Sequence, residues 1–100
     1  MAHILATLQG VRLEDIKKAL EVDAAQHAEH GLYVEHLWQN ADDSQEILFL
    51  FSTPDLEQAK QFIQKTHTKA YRESPDAVLP QMTFLEETPV GDVQAVDQGV

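Results

Sequence analysis

Histidines are the residues of this sequence with the clearest chemical potential, because the chain has five of them and no cysteine. The ordinary pKa of imidazole lies close to neutral pH, so two histidines in one pocket can act as general base and hydrogen-bond donor. His27 and His67 each fall on the apolar stripe of a predicted helix. We predict them as a catalytic pair suited to proton abstraction from an enolic or phenolic substrate. The simpler alternative is that both are hydrogen-bonded histidines at the edge of the core.

A metal site is the second chemistry that histidine spacing suggests. His27 and His30 are three residues apart on one predicted helix, and they could ligate a metal if His36, His67 or a carboxylate converged on them. No acidic motif accompanies this pair, so a solvated last helical turn is the simpler interpretation. We therefore predict neither a metal site nor a cofactor.

Two aromatic residues are candidates for the wall of a ligand pocket, namely Trp38 and Phe62. Trp38 and Tyr33 alternate to opposite faces of a predicted strand, so at most one of them can face a pocket on the helix side. Aromatic residues with a polar tip also suit a core or a subunit interface, which is the alternative for this pair.

Six predicted elements must position these residues, in the order strand, helix, strand, strand, helix, strand. The strands are predicted at 2–8, 32–39, 46–51 and 81–86, and the helices are predicted from Leu13 and from Thr53. This order predicts a ferredoxin-like α+β fold, βαββαβ, with a four-stranded antiparallel sheet and both helices on one face.

Two boundaries between these elements are marked by residue type. Gly31 is placed to end the first helix in a left-handed conformation. At the second helix we predict Thr53 as N-cap, Pro54 at the first helical position and Asp55 in the first turn.

The third predicted strand, 46–51, carries an unbroken apolar run from Ile47 to Phe51. Such a run offers no polar face to water, so both faces of the sheet need cover. Two helices can cover one face. We therefore expect the other face to pack against a second copy of the chain in a dimeric barrel.

Charge argues against some classes of partner. The sequence has 17 acidic and 7 basic residues, for a formal net charge of −10. Nucleic acids and anionic membranes are bound mainly through Lys and Arg, so we predict neither as a partner.

Composition also bears on location and organisation. The absence of cysteine fits a reducing compartment, and no apolar stretch approaches the length of a membrane span, so we expect a cytoplasmic protein. Residues 1–87 are predicted to form one domain. Residues 88–100 contain Pro and Gly but no aromatic residue and no helical or strand period, so we predict a mobile tail.

Three segments, 27–31, 40–51 and 55–62, resemble the dimeric α+β barrel superfamily. In that superfamily a helix ending in His-Gly leads into an edge strand, a short acidic hairpin, an apolar strand and a second helix that opens with an acidic-Leu-x-x-Ala pattern. The resemblance covers roughly residues 2 to 87 and implies a homodimer with a pocket between helices and sheet. Relatives include antibiotic-biosynthesis-type and other cofactor-independent monooxygenases, haem-degrading enzymes, lactone isomerases and many small uncharacterised proteins, so the reaction is left open.

Two functions of different class follow. In the first, a homodimer holds a small planar or aromatic ligand in this pocket, with His27 and His67 as polar groups and Trp38 or Phe62 in the wall. In the second, the chain is a dimerisation or regulatory module without chemistry, and side chains fill the pocket. A void beside His27 would favour the first function, and large residues there would favour the second.

Overall fold

A computed structural model describes residues 1–90, and its elements follow one another in the predicted order. They are β1 Ala2–Gln9, α1 Leu13–Glu29, β2 Tyr33–Asn40, β3 Asp43–Thr53, α2 Leu56–Glu73 and β4 Gln81–Leu85. The four strands form one antiparallel sheet in the order β2-β3-β1-β4. The predicted ferredoxin-like α+β fold is confirmed. The predicted tail, residues 88–100, follows β4, and residues 91–100 of it lie outside the described residues.

One face of the sheet, here called the helix face, carries the hydrophobic core. Six residues of β1 and β3 on this face are each at most 6% exposed, namely Ile4, Ala6, Leu8, Ile47, Phe49 and Phe51. Ala59 and Ile63 of α2 are buried in the same cluster, and Ile16 and Leu20 of α1 pack against it. Both helices therefore lie on this face, as predicted.

The opposite face, here called the open face, has no covering element among residues 1–90. Pairing in the sheet places Leu5 beside Leu50, and Leu50 beside His36. Tyr33 and Trp38 also lie on this face, because they pair with Ser52 and Leu48, and they are 48% and 45% exposed. Large apolar and aromatic side chains thus remain in contact with solvent in the single chain.

A β-bulge in β2 decides which side chains share the open face. Val34 pairs with Phe51 on the helix face, whereas His36, only two residues later, pairs with Leu50 on the open face. The extra residue at the bulge is Glu35. Beyond it, the alternation of side chains is inverted relative to an unbroken strand.

The second helix begins later than predicted. Asp55, not Thr53, is its N-cap, because the Asp55 side chain accepts a hydrogen bond of 3.1 Å from the backbone N–H of Gln58. The Thr53 hydroxyl instead accepts from the backbone N–H of Asp55 at 3.2 Å, which forms a turn ahead of the helix. Pro54 lies in that turn, outside the helix.

The two helices differ in how firmly they pack on the sheet. Ala59 and Ile63 of α2 are buried, whereas none of the 17 residues of α1 is buried. Ile16 and Leu20 only partly reach the core. The side chains of α1 therefore reach the core less fully than those of α2, and space is left between the two helices and the sheet. Within residues 1–90, neither helix combines the length and apolar character that crossing a membrane requires.

Candidate functional site

A cavity of about 300 Å³ lies between the two helices and the helix face of the sheet. Its walls come from every layer of the fold: Leu20 of α1, Phe62 of α2, Phe49 and Phe51 of β3, and Met82 of β4. This volume is at the lower end of the range for small-molecule sites, and such sites are mostly apolar with a few polar groups. The cavity has the size and lining of a site for a small molecule.

Four polar side chains interrupt this apolar wall, two from each helix. Asp23 and His27 lie one turn apart on α1, and Thr66 and His67 are adjacent on α2. The structure thus brings His27 and His67, the predicted catalytic pair, to the same cavity. Their catalytic role stays a prediction.

His27 has an unsatisfied polar atom. Its Nδ1 is buried and has no hydrogen-bond partner within residues 1–90. The ring packs edge-on against Phe51, with 5.2 Å between the ring centroids and an angle of 76° between the planes. Buried polar atoms of native proteins nearly always have a partner, so this nitrogen is an exception among the described residues; because protein atoms enclose it, a bound molecule would reach it only after the ring rotates.

Burial sets the charge state of both cavity histidines. It lowers the pKa of His27 below the ordinary value of 6.5, and the nearby carboxylate of Asp23 opposes part of that effect. Burial also lowers the pKa of His67. A desolvated imidazole is easier to keep neutral, so both rings are available near neutral pH as hydrogen-bond partners and proton acceptors.

Phe62 lines the cavity, its role in ligand binding stays a prediction, and its ring contacts a residue just after α1. Its ring stacks on His30, with 3.9 Å between centroids and 15° between planes. His30 itself does not line the cavity. This stack connects the end of α1 to the middle of α2 and fixes one wall of the site.

Trp38 does not line the cavity, so its predicted place in the wall is wrong. It pairs with Leu48 on the open face and stacks on His36, with 5.1 Å between ring centroids. The cause is the bulge at Glu35. Strict alternation from the buried Leu32 would have carried position 38 to the helix face, and the extra residue inverts it.

Two polar residues of the site were missed from the sequence, Asp23 and Thr66. As a carboxylate, Asp23 does not belong to the apolar stripe that marks His27 and His67. The signal available was its position four residues before His27, because residues at i and i+4 share a helix face. Thr66 carried no comparable signal, since it falls in a stretch of weak helix formers.

Metal ligands do not gather at this site. Within residues 1–90, no three His, Asp or Glu side chains are grouped as they would be around a metal ion. His27 faces the cavity while His30 stacks on Phe62, so the two do not act as a pair.

Comparison with known proteins bears on the fold alone. No family model matches the chain, and a search of curated proteins gave no significant match. A solved structure described as "Crystal structure of antibiotic biosynthesis monooxygenase" is 16% identical and has a TM-score of 0.55, covering 89% of this chain and 100% of its own. This likeness confirms the ferredoxin-like fold that the sequence resemblance implied.

Proposed function

We propose that this protein is a homodimer that binds a small planar or aromatic molecule in the cavity between its helices and sheet. The void beside His27 carries the proposal. A dimerisation or regulatory module would be expected to fill this space with large side chains, so the void favours a ligand site over that alternative. The aromatic wall formed by Phe49, Phe51 and Phe62 suits a planar ring system.

The reaction we propose is proton abstraction without a cofactor, as in a monooxygenase-like or isomerase-like enzyme. Neutral His27 takes the proton of an enolic or phenolic hydroxyl, and the carboxylate of Asp23 stabilises the imidazolium that forms. His67 donates a hydrogen bond to the substrate oxygen as negative charge develops there. An isomerase would return the proton to a carbon of the same molecule. In a monooxygenase, the electron-rich anion would reduce dioxygen, so that one oxygen atom becomes a quinone-type carbonyl of the product and the other leaves as water.

Dimerisation is proposed through the open face. Leu48 and Leu50 lie at its centre on β3, and the aromatic side chains of Tyr33 and Trp38 are about half exposed beside them. A second copy that covers this face would remove the apolar surface from water. The cytoplasmic location, and the exclusion of nucleic acids and membranes as partners, stay predictions from composition.

The test of the ligand site uses 2-naphthol, a planar probe with one hydroxyl group. Isothermal titration should show saturable binding to the wild-type protein. His27→Phe removes the unsatisfied Nδ1 and fills part of the cavity, so it should weaken binding by about tenfold or more while thermal stability is unchanged or raised.

The matched control is His30→Phe, the same change one turn further along. Phenylalanine keeps the stack on Phe62, and His30 does not line the cavity, so binding should be retained. Absence of binding to the wild-type protein, together with a stabilised His27→Phe variant, would favour the non-catalytic module.

A further inference from the structure

We infer that the cavity selects uncharged ligands and rejects carboxylates, sulfonates and phosphates. Its natural ligand is then a neutral hydroxylated aromatic molecule. Asp23 sets this selectivity. The inference rests on the proposed function, because it assigns a ligand class to the same cavity. It goes further by stating which charge the site accepts and which residue decides it.

The first observation is that cations are missing from the cavity wall. The chain has seven Lys and Arg residues, and none is among the described residues that line the cavity. Arg12 lies 3.8 Å from Glu14 at the start of α1, and the Lys60 ammonium lies 5.1 Å from the ring centroid of Phe84, a residue outside the cavity wall. Sites for carboxylate or phosphate usually present Arg or Lys, so an anion would find no cationic partner here.

The two histidines do not replace the missing cations. Burial lowers the pKa of both His27 and His67, so that near neutral pH they are uncharged. A neutral imidazole offers one donor and one acceptor nitrogen. It can therefore bind a hydroxyl or carbonyl group well, but it cannot neutralise an anion that has been taken out of water.

Asp23 adds repulsion to this lack of attraction. Its carboxylate lines the cavity one helical turn before His27. The rest of the chain does not neutralise this charge, because the whole chain carries a formal net charge of −10. An anionic ligand would be placed beside a like charge, whereas a neutral ligand would not.

The polar groups of the cavity wall indicate what a neutral ligand must offer. Neutral His27, Thr66 and His67 can each donate or accept a hydrogen bond, and a hydroxyl group can do both. The remainder of the cavity, about 300 Å³ with Phe49, Phe51 and Phe62 in its wall, suits an apolar ring system. One hydroxyl on an aromatic body satisfies both requirements.

The test compares two probes of nearly the same shape, 2-naphthol and 2-naphthoate, the first uncharged and the second anionic at neutral pH. Isothermal titration of the wild-type protein should give a dissociation constant for 2-naphthol that is lower by about tenfold or more. Asp23→Asn should tighten 2-naphthoate binding several-fold more than it changes 2-naphthol binding.

The matched control is Asp15→Asn, which makes the same charge change two turns earlier on α1, away from the cavity wall. It should leave the affinities for both probes unchanged. Thermal unfolding of both variants checks that each is folded, and both sites are exposed on the helix surface.

The possible failures are distinguishable. If 2-naphthoate binds the wild-type protein as tightly as 2-naphthol, the ligand site stands and the charge selectivity is overturned. If Asp15→Asn tightens 2-naphthoate binding as much as Asp23→Asn, long-range charge rather than Asp23 is responsible, and the assignment to Asp23 is overturned. If neither probe binds, the proposed function fails and this inference fails with it.

Discussion

His27 combines features that an ordinary core residue would not show together. Its ring packs on Phe51, its Nδ1 is buried without a partner, and its neighbour along the helix stripe is a carboxylate, Asp23. An unsatisfied buried polar atom costs about 1–3 kcal/mol. This cost singles out His27 among the side chains of the described residues.

The lowered pKa values of the cavity histidines predict that stability depends on pH. Above the ordinary value of 6.5, His27 is neutral in both folded and unfolded chains, and its contribution to stability is fully present. As the pH falls from there toward the folded-state pKa, the unfolded chain binds protons that the folded chain does not. The free energy of unfolding should therefore fall as the pH drops below about 6.5.

Urea unfolding at fixed protein concentration measures this dependence. His27→Phe should reduce the fall, and the double change His27→Phe with His67→Phe should remove most of it, since burial lowers the pKa of both histidines. An unchanged pH dependence in the double variant would contradict the assignment.

Sequence patterns located some of these residues and not others. His27, Phe62 and His67 follow from helical periodicity, because a residue's face on a regular helix depends only on spacing. Helical periodicity did not predict the cavity itself. Whether the residues of a stripe are buried, as two of α2 are, or at most partly buried, as those of α1 are, depends on how side-chain volumes fit in three dimensions.

At the scale of elements, the two helices differ in burial and in capping: α2 has buried residues and a side-chain N-cap, and α1 has neither. The N-terminus of α2 is fixed by the hydrogen bond of 3.1 Å from the Gln58 N–H to the Asp55 side chain. On α1 the N-cap residue, Arg12, makes no side-chain capping bond. The positions of Phe62 and His67 therefore depend on the cap of α2.

Removal of this cap should weaken the protein. Asp55→Ala should lower the free energy of unfolding by about 1 kcal/mol, because one backbone donor of the first turn loses its partner. Urea unfolding gives the value directly. Asp55→Ser removes the same charge but keeps an acceptor oxygen, so it should retain most of the stability; a serine variant as weak as the alanine variant would contradict the capping role.

Two errors of sequence interpretation belong to this scale. Thr53 and Asp55 are both good N-cap residues, and only the path of the chain after β3 decides between them. The bulge at Glu35 left no clear signal in composition, yet it moved Trp38 from the expected wall of the cavity to the open face. One extra residue in a strand is enough to reassign every side chain beyond it.

At the scale of the whole molecule, the sheet has one face covered by helices and one face left apolar. This arrangement follows from β3, where Ile47, Phe49 and Phe51 face the helices while Leu48 and Leu50 face outward. The apolar run in the sequence predicted that both faces need cover, and the open face matches that expectation. What covers it is the proposed second copy.

A charge at the centre of the open face should prevent dimerisation. Leu50→Asp would bury a carboxylate between two apolar sheets, so sedimentation velocity should show a monomer where the wild-type protein is a dimer. The matched control is Val22→Asp on α1, where the side chain is 74% exposed, and this variant should remain dimeric. A monomeric wild-type protein, or a dimeric Leu50→Asp variant, would contradict the proposed interface.

The most direct test of the central claim, that the cavity beneath α1 is the ligand site, is an NMR titration of the five imidazole rings with 2-naphthol. The histidines are distributed over both faces of the sheet, with His27 and His67 at the cavity and His3 and His36 on the open face. We predict saturable shifts of the His27 and His67 signals, with those of His3 and His36 unmoved. Shifts confined to His3 and His36, or no shift at any ring, would contradict the claim.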